Sequence, residues 1–224
     1  MNNRAPYLNE QIIKRMRNDN PWWETNAIPQ DFHEMRHRLY LDSFYQEVTN
    51  RDIRRGVILM GPRRIGKTVM IYHVIERLIN EGVSAQRIIY LSIDTPIYNN
   101  ISLEELFSLA KEALNSAKVQ DDYYVFYDEI QYLKDWEVHL KSMIDTFRSA
   151  KFIASGSAAA ALKMKSNESG AGRFTNFMLP PLTFNEYIHL LNLYSIIINK
   201  PKYVDDPLSS YVDTLDIGKL NSYF

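Results

Sequence analysis

The residues with the clearest chemical role lie in the stretch GPRRIGKT, which runs from Gly61 to Thr68 and fits the pattern G-x-x-x-x-G-K-[ST]. Glycines let the backbone turn tightly, so that consecutive N–H groups point at phosphate oxygens, and a helix that begins there adds the positive end of its dipole. The spacing predicts that Lys67 reaches the β- and γ-phosphates of a nucleotide and that the Thr68 hydroxyl binds Mg²⁺. The loop residues predicted to bind the nucleotide are Gly61, Pro62, Arg63, Arg64, Ile65, Gly66, Lys67, Thr68 and Val69.

Two carboxylates follow the apolar run YYVFY, at Asp128 and Glu129. Ligands of open α/β sheets bind at the carboxyl ends of the strands, so this placement predicts that both carboxylates lie near the phosphate loop. We expect Asp128 to hold Mg²⁺ and Glu129 to orient and polarise the attacking water. An isolated Asp-Glu pair can also end a strand and cap the next element, but the phosphate loop two strands earlier favours a catalytic pair.

Two further candidates come from later segments. Ser155 ends the apolar run KFIAS, where its hydroxyl is expected either to touch the γ-phosphate or the lytic water, or simply to precede a turn at Gly156. Arg173 follows the glycine-rich stretch 166–172, which predicts a mobile loop. It is either a surface arginine or a residue that stabilises the transition state in a neighbouring subunit, as arginine fingers do.

The elements that must position these residues alternate along the chain. Short apolar, β-branched runs and longer helical patterns follow one another from residue 56, which predicts an α/β three-layer sandwich with a mostly parallel sheet between helices. The predicted strands are 56–60, 87–93, 123–127, 151–155 and 174–179, and the predicted helices are 67–80, 103–117, 136–149 and 158–164. Ser102 with Glu105, and Thr183 with Glu186, have the spacing of capping boxes at helix starts.

Upstream of the alternating pattern, residues 7–18 place apolar side chains at helical spacing among basic neighbours and predict a short surface helix. Trp22 and Trp23 are expected to pack this arm either onto the core or onto a neighbouring subunit.

Composition limits the partners. The 224 residues carry 26 basic and 27 acidic side chains, a net charge of -1, which disfavours a nucleic-acid partner without excluding a local basic patch. There is no cysteine, so disulfides and Cys-ligated metals are excluded. No run approaches the roughly 18 apolar residues of a membrane span, and the N-terminus lacks the apolar core of a signal peptide. We therefore expect a cytoplasmic protein that is not bound to a membrane.

Taken together, GPRRIGKT, VFYDEIQ, IASGSAAAAL, GAGR and LPPLTFNEY resemble the ATPase domain of prokaryotic AAA-like P-loop proteins, over about residues 36 to 192. The resemblance implies ATP as the nucleotide and a five-stranded sheet of order 5-1-4-3-2. It assigns site roles to Lys67, Thr68, Asp128 and Glu129, a sensor role to Ser155, and a role to Arg173. Members of this family usually continue into a further domain. We therefore expect an arm at 1–35, an ATPase domain at 36–195, and a tail at 196–224 that begins a truncated second domain.

Other activities have weaker support. His33 and His37 fit the zinc pattern H-E-x-x-H, but the third ligand of its extended form is missing, so we interpret the pair as coincidental. The string at 199–202 lacks the Asp of a guanine-reading motif, and nothing marks the acceptor site of a kinase. The strongest alternative is a module that binds ATP and Mg²⁺ in order to dock a protein partner or another copy of itself, with negligible hydrolysis.

Overall fold

A five-stranded parallel sheet forms the centre of the computed structural model, which describes residues 6–114, 122–157 and 172–193. The strands are β1 Gly56–Gly61, β2 Ile88–Ser92, β3 Tyr124–Asp128, β4 Lys151–Ser157 and β5 Phe174–Met178. They lie in the order β2-β3-β4-β1-β5, and every neighbouring pair is parallel. Read from the other edge, this is the predicted order 5-1-4-3-2, so the predicted fold is confirmed.

The described helices are α1 Pro6–Asp19, α2 Trp22–Thr25, α3 Gln30–His33, α4 Leu41–Thr49, α5 Lys67–Asn80, α6 Leu103–Ala113, α7 Trp136–Thr146 and α8 Phe184–Leu190. Both predicted capping boxes are present, because the hydroxyl groups of Ser102 and Thr183 accept hydrogen bonds from the backbone N–H groups of Glu105 and Glu186. Helix α7 ends three residues before its predicted end. There Arg54 donates to the carbonyls of Ile144 and Asp145, which satisfies the last turn of the helix.

The helices cover the sheet in two layers. Parallel crossovers are right-handed, so α5, which leads from β1 to the far edge strand β2, lies on one face, while α6 and α7 lie on the other. The aromatic contacts agree with this arrangement. Tyr90 of β2 packs against Tyr72 of α5, whereas the Tyr127 hydroxyl of β3 donates to the Leu103 carbonyl of α6.

The N-terminal segment covers the outer edge of β2. The Asn20 side chain donates to the Tyr90 carbonyl at 2.9 Å and accepts from the Tyr90 N–H at 2.6 Å, as a neighbouring strand would. The indole N–H groups of Trp22 and Trp23 both donate to the Ile88 carbonyl. These side chains satisfy edge groups that would otherwise be open to another strand. Both tryptophans therefore pack this arm onto the core of its own chain.

By its contacts the chain divides into two compact units, residues 1–181 and 182–224. The arm predicted at 1–35 shares the core of the first unit, to which it contributes Ile12, Met16 and Trp22. In the second unit, α8 buries Ile188 together with Leu193. The predicted helix at 158–164, the predicted loop up to residue 171 and the predicted tail at 196–224 lie outside the described residues. Among the described helices, none has both the length and the apolar character that a membrane crossing requires.

Candidate nucleotide-binding site

The loop from Gly61 to Thr68 joins the end of β1 directly to the start of α5. Two glycines are required by its geometry. A Cβ atom at Gly61 would lie 2.6 Å from the Leu179 carbonyl oxygen, and Gly66 has φ +88°, in the left-handed region. Arg64 also has a positive φ of 63°, which is uncommon for a residue with a Cβ. Alternation of right- and left-handed residues turns successive N–H groups to one side and forms a concave anion site at the helix start.

Lys67 lies against this loop. Its side chain is 5% exposed, and Nζ donates to the carbonyl oxygens of Gly61 at 3.3 Å and Pro62 at 3.0 Å. Within the described residues it makes no ion pair with a carboxylate. The ammonium group is thus held at the loop by neutral acceptors only, and a phosphate placed there would compete with them favourably.

Arg38 braces the same loop from the other side. Its guanidinium donates to the Ile65 carbonyl at 2.6 Å and to the Pro180 carbonyl at 3.1 Å, and the residue is buried. The two bonds tie the phosphate loop to the segment that follows β5. Sequence analysis did not find this residue, since a single arginine 27 positions before its acceptor carries no pattern.

The carboxylate of Asp128 lies at the centre of the site. It is 1% exposed, and Oδ2 accepts hydrogen bonds from the Thr68 hydroxyl at 2.7 Å and the Tyr90 hydroxyl at 3.0 Å. Its other oxygen, Oδ1, accepts a short bond from the Ser155 hydroxyl and a bond from the Glu129 N–H. All these donors are neutral, and the described residues provide no cation for the carboxylate. A buried carboxylate beside a threonine hydroxyl offers oxygen ligands of the kind that Mg²⁺ prefers.

Tyr90 is a second residue that the sequence did not reveal. Burial and the nearby Asp128 carboxylate raise the pKa of its hydroxyl far above the ordinary value, so the group remains protonated and able to donate. Strand β2 lies next to β3 with Ser92 in register with Asp128. Tyr90 lies two positions before Ser92, the residue that pairs with Asp128. The sequence could have indicated Tyr90 only if the pairing of β2 with β3 had been known.

Glu129 occupies a strained position directly after β3. Its φ is +53°, and its N–H contacts both Asp128 Oδ1 and Ser155 Oγ. The side-chain carboxylate accepts a short hydrogen bond from the amide of Gln131, whose Oε1 in turn accepts from the Ser157 N–H at 3.2 Å. Left-handed backbone at a non-glycine residue costs on the order of 1 kcal/mol and is typical of functional sites. Gln131 stands in the quoted stretch VFYDEIQ, but the sequence assigned it no role.

Thr68, Tyr90, Asp128 and Glu129 border a pocket of about 580 Å³ at the carboxyl edge of the sheet. Its lining combines the loop arginines, the Asp128 group and polar residues of β2 and the segment after β3. The lining residues are Arg63, Arg64, Thr68, Tyr90, Ser92, Asp94, Asp128, Glu129 and Tyr132. The structure therefore brings the predicted loop, Asp128, Glu129 and Ser155 together.

Arg173 lies elsewhere. It precedes β5 at the amino edge of the sheet, where its carbonyl accepts from Gly56 N–H at the start of β1, and its guanidinium pairs with Asp145 at 3.0 Å. Strand β1 has six residues, so at about 3.3 Å per residue the two edges lie about 17 Å apart along it. Arg173 does not join the site of its own chain, and its role toward a neighbouring subunit stays a prediction.

The two histidines of the zinc pattern do not share a helix. Helix α3 ends at His33, whose Nδ1 makes a short contact with Glu76, while His37 packs on the ring of His73. The two imidazoles thus face different partners.

A family model described as an AAA domain matches residues 54–188. An uncharacterized protein of Methanocaldococcus jannaschii is 32% identical over 142 residues, which is 62% of this chain and 28% of that protein. An uncharacterized protein of Haemophilus influenzae is 26% identical over 155 residues, 69% of this chain and 37% of that protein. This chain therefore spans well under half the length of these relatives.

The matched range contains the phosphate loop, Asp128, Glu129 and Ser155, and it covers more than half of the 224 residues. The resemblance seen in the sequence motifs is thereby confirmed. The chain belongs to the AAA domain family, a family of AAA-like P-loop proteins characterised by nucleotide binding and ATPase-like activity.

Proposed function

We propose that this chain binds ATP with Mg²⁺ at the phosphate loop and hydrolyses it. The observation that carries the proposal is the buried carboxylate of Asp128, which contacts the Thr68 hydroxyl at 2.7 Å next to the loop and, among the described residues, has only neutral donors. Burying a carboxylate without a cation is costly, and a bound divalent metal removes that cost. Thr68 and Asp128 are the residues that would hold Mg²⁺, which when bound neutralises phosphate charge in the transition state.

The loop residues bind and orient the nucleotide. Lys67 exchanges its two carbonyl acceptors for phosphate oxygens, and backbone N–H groups of the loop between Gly61 and Thr68, other than at Pro62, would donate to the phosphates. Arg38 keeps the loop in place through the Ile65 carbonyl. Positioning and electrostatic stabilisation supply most of the catalysis in phosphoryl transfer, so a rigid loop is a requirement for activity.

Glu129 is the candidate general base. Its backbone is fixed by contacts to Asp128 and Ser155, which directs the side chain from the end of β3 into the pocket. A water molecule hydrogen-bonded to this carboxylate would be oriented for attack on the γ-phosphate. Ser155 holds Asp128 and the Glu129 N–H, so in this structure it positions the acidic pair.

The test is phosphate release from Mg·ATP over a range of protein concentrations, with Lys67→Ala and Glu129→Gln variants beside the parent. We expect both variants to lose turnover, and the Glu129→Gln protein to retain ATP binding. Turnover per molecule that rises with concentration would indicate completion by self-association and would make Arg173→Ala the next variant. Turnover that survives in the Glu129→Gln protein would refute the assigned base.

A second function, an ATP-dependent docking module with negligible hydrolysis, is favoured by one contact. Gln131 donates to Oε2 of the Glu129 carboxylate, so it competes with water for that oxygen. In this case the parent binds ATP without turnover. A Gln131→Ala substitution distinguishes the two functions, because releasing Glu129 raises turnover only if the rest of the catalytic site is complete.

A further inference from the structure

A second pocket lies at the amino edge of the sheet, opposite the phosphate loop. It has a volume of about 370 Å³ and lies between the segment that precedes β1 and the segment that precedes β4. We call it the four-arginine pocket, after Arg51, Arg54, Arg55 and Arg148 in its lining. Lys151 adds a fifth cationic residue, and among the described residues no acidic one lines the pocket.

Two of the arginines donate hydrogen bonds to backbone carbonyls and still have unused N–H donors. Arg51 donates through Nη1 to the Ser149 carbonyl at 2.8 Å, and Arg54 donates through Nε and Nη2 to the end of α7, at the Ile144 and Asp145 carbonyls. A guanidinium carries five N–H donors, so each group retains unused ones. These bonds hold both side chains at the rim of the pocket.

The other two arginines are less constrained. Toward the described residues, Arg55 donates only through Nε, to the Gly172 carbonyl at 3.0 Å, which leaves the two terminal nitrogens of its fork available. For Arg148 the described part of the chain provides no hydrogen bond and no ion pair. Both side chains are exposed. Their forks are therefore available to a ligand.

In the described part of the chain, carboxylates do not neutralise this cluster. Within residues 6–114, 122–157 and 172–193, none of the four arginines makes an ion pair. In the same ranges Arg63 and Arg64 of the phosphate loop also lack one, whereas other arginines are paired with carboxylates: Arg15 with Asp19, Arg77 with Asp42 and Glu81, Arg87 with Asp122, and Arg173 with Asp145. Like charges gathered in one concave site repel one another, and an anion is the simplest means of neutralising them.

Lys151 shows the effect of this environment. It is 7% exposed, and Nζ donates to the Asn50 carbonyl at 2.7 Å. Burial and the Arg51 guanidinium lower the pKa of Lys151 to about 8, although the Glu47 carboxylate opposes the shift. Two acidic residues lie close in sequence to the arginines of the pocket. Asp52 is not part of the pocket lining, and the carboxylate of Asp145 forms an ion pair with Arg173.

The chemistry of the cluster favours phosphate. Guanidinium forks match the oxygens of a phosphate in paired hydrogen bonds, which an ammonium does not provide. The pocket also has an apolar side at Ile53, Ile144 and Phe152, so a bound group would be partly shielded from water. A concave site of this volume accommodates one or two phosphate groups with a small attached part, and an extended backbone would need a longer groove.

We propose that the four-arginine pocket is a second anion site, separate from the nucleotide site, and that it binds the terminal phosphate of a phosphorylated ligand. Two sources share this chemistry: a small phosphorylated molecule and the phosphorylated 5′ end of a nucleic acid. The net charge of -1 disfavoured a nucleic-acid partner but left a local basic patch open, and this pocket is such a patch.

The test uses the full chain in a Lys67→Ala background, which removes the lysine of the phosphate loop. Arg55→Gln with Arg148→Gln is compared with a charge-matched control, Arg15→Gln with Arg77→Gln, whose arginines lie on other surfaces. Pyrophosphate binding is measured by calorimetry without Mg²⁺. A short oligonucleotide, with and without a 5′-phosphate, is measured by fluorescence anisotropy.

We expect the pocket variant to bind pyrophosphate about ten-fold more weakly than the control or not at all, because two charge-assisted contacts are lost. A 5′-phosphate that strengthens oligonucleotide binding, with loss of that gain in the pocket variant, identifies a nucleic-acid end as the source. Pyrophosphate binding without that gain identifies a small molecule. Equal binding by the pocket and control variants, or no binding of either phosphorylated probe, overturns the proposal. Arg148→Glu alone gives the same comparison if the double variant does not fold.

Discussion

Tyr90→Phe tests whether the contacts around Asp128 form a working metal site. The substitution removes one hydroxyl and leaves the aromatic ring, which packs against Trp22 and Tyr72. The lost hydroxyl donates to Asp128 Oδ2 at 3.0 Å, the oxygen that also contacts Thr68. Tyr90 is 5% exposed, so water has little access to replace the missing donor.

The expected loss of stability follows from that burial. A hydrogen bond to a charged group contributes about 1.5–3 kcal/mol, and Oδ2 keeps its bond to Thr68, so we expect a destabilisation of about 2 kcal/mol. For a domain of this size, that corresponds to a fall of about 4–8 °C in the melting temperature. Loss of a partner behind a metal ligand typically weakens metal affinity or activity about 10- to 100-fold. We therefore expect the Mg²⁺ concentration for half-maximal turnover to rise by about ten-fold or more.

The assay is ATP turnover as a function of Mg²⁺ concentration, combined with thermal unfolding of the metal-free protein. Tyr127→Phe is the matched control. Tyr127 is also a fully buried tyrosine, on the neighbouring strand, but its hydroxyl donates to the Leu103 carbonyl at 3.2 Å. We expect the control to lose about 1 kcal/mol of stability and to keep the Mg²⁺ dependence of the parent.

The two readouts separate a role at the metal site from a purely structural role. If Tyr90→Phe lowers the melting temperature but leaves the Mg²⁺ dependence unchanged, Tyr90 stabilises the fold and Asp128 does not need its hydroxyl to bind the metal. If neither the melting temperature nor the Mg²⁺ dependence changes, the hydrogen bond from Tyr90 to Asp128 contributes nothing measurable. The role assigned to Tyr90 is then refuted.

Three other predictions address the fold and the loop. Asn20→Ala leaves the Tyr90 N–H and carbonyl unpaired, so we expect urea unfolding to show a loss of about 3–5 kcal/mol; a loss below about 1 kcal/mol would contradict the edge-covering role. Gly61→Ala places a Cβ 2.6 Å from the Leu179 carbonyl, and a fluorescent ATP analogue should bind at least about ten-fold more weakly. The pKa of Lys151 is lowered to about 8 in the folded state, so between about pH 8 and 10 the unfolded chain binds more protons and stability rises with pH. Lys151→Met should abolish this rise in urea unfolding curves, and an unchanged slope would contradict it.

The phosphate loop and the acidic strand end were predictable because their patterns are local. The strand that ends at Gly61 and the helix that begins at Lys67 determine where Lys67 and Thr68 lie, and the end of β3 determines where Asp128 lies. The sheet order came from the family resemblance, and the parallel alternation of strands and helices from hydrophobic pattern alone. These parts of the site need no knowledge of long-range contacts.

The residues that complete the site were not predictable, because they reach it through tertiary contacts. Tyr90 lies 38 positions from Asp128, and Arg38 lies 27 positions from Ile65. Neither belongs to a motif, and each looks like an ordinary strand or loop residue. Their roles exist only once β2 lies beside β3 and the N-terminal segment folds over the loop.

Arg173 shows the opposite case, a residue whose position in sequence suggested the site but whose position in the fold is at the other edge. It follows a glycine-rich stretch, a position that suggested an arginine finger, yet it pairs with Asp145 at the amino edge of the sheet. That Arg173 follows this stretch in sequence does not determine at which edge of the sheet it lies.

Net charge likewise carries no information on where the charges lie. The total of -1 is a sum over all residues, and it is unchanged by gathering cations at one place. Arg51, Arg54 and Arg55 are close in sequence, but Arg148 and Lys151 join them only because β1 and β4 are adjacent parallel strands whose amino ends meet at one edge. The same adjacency brings the carboxyl ends of β1 and β4, and with them the phosphate loop and Ser155, to the opposite edge. One strand pairing therefore positions both the nucleotide site and the four-arginine pocket, and a change in its register would disturb both.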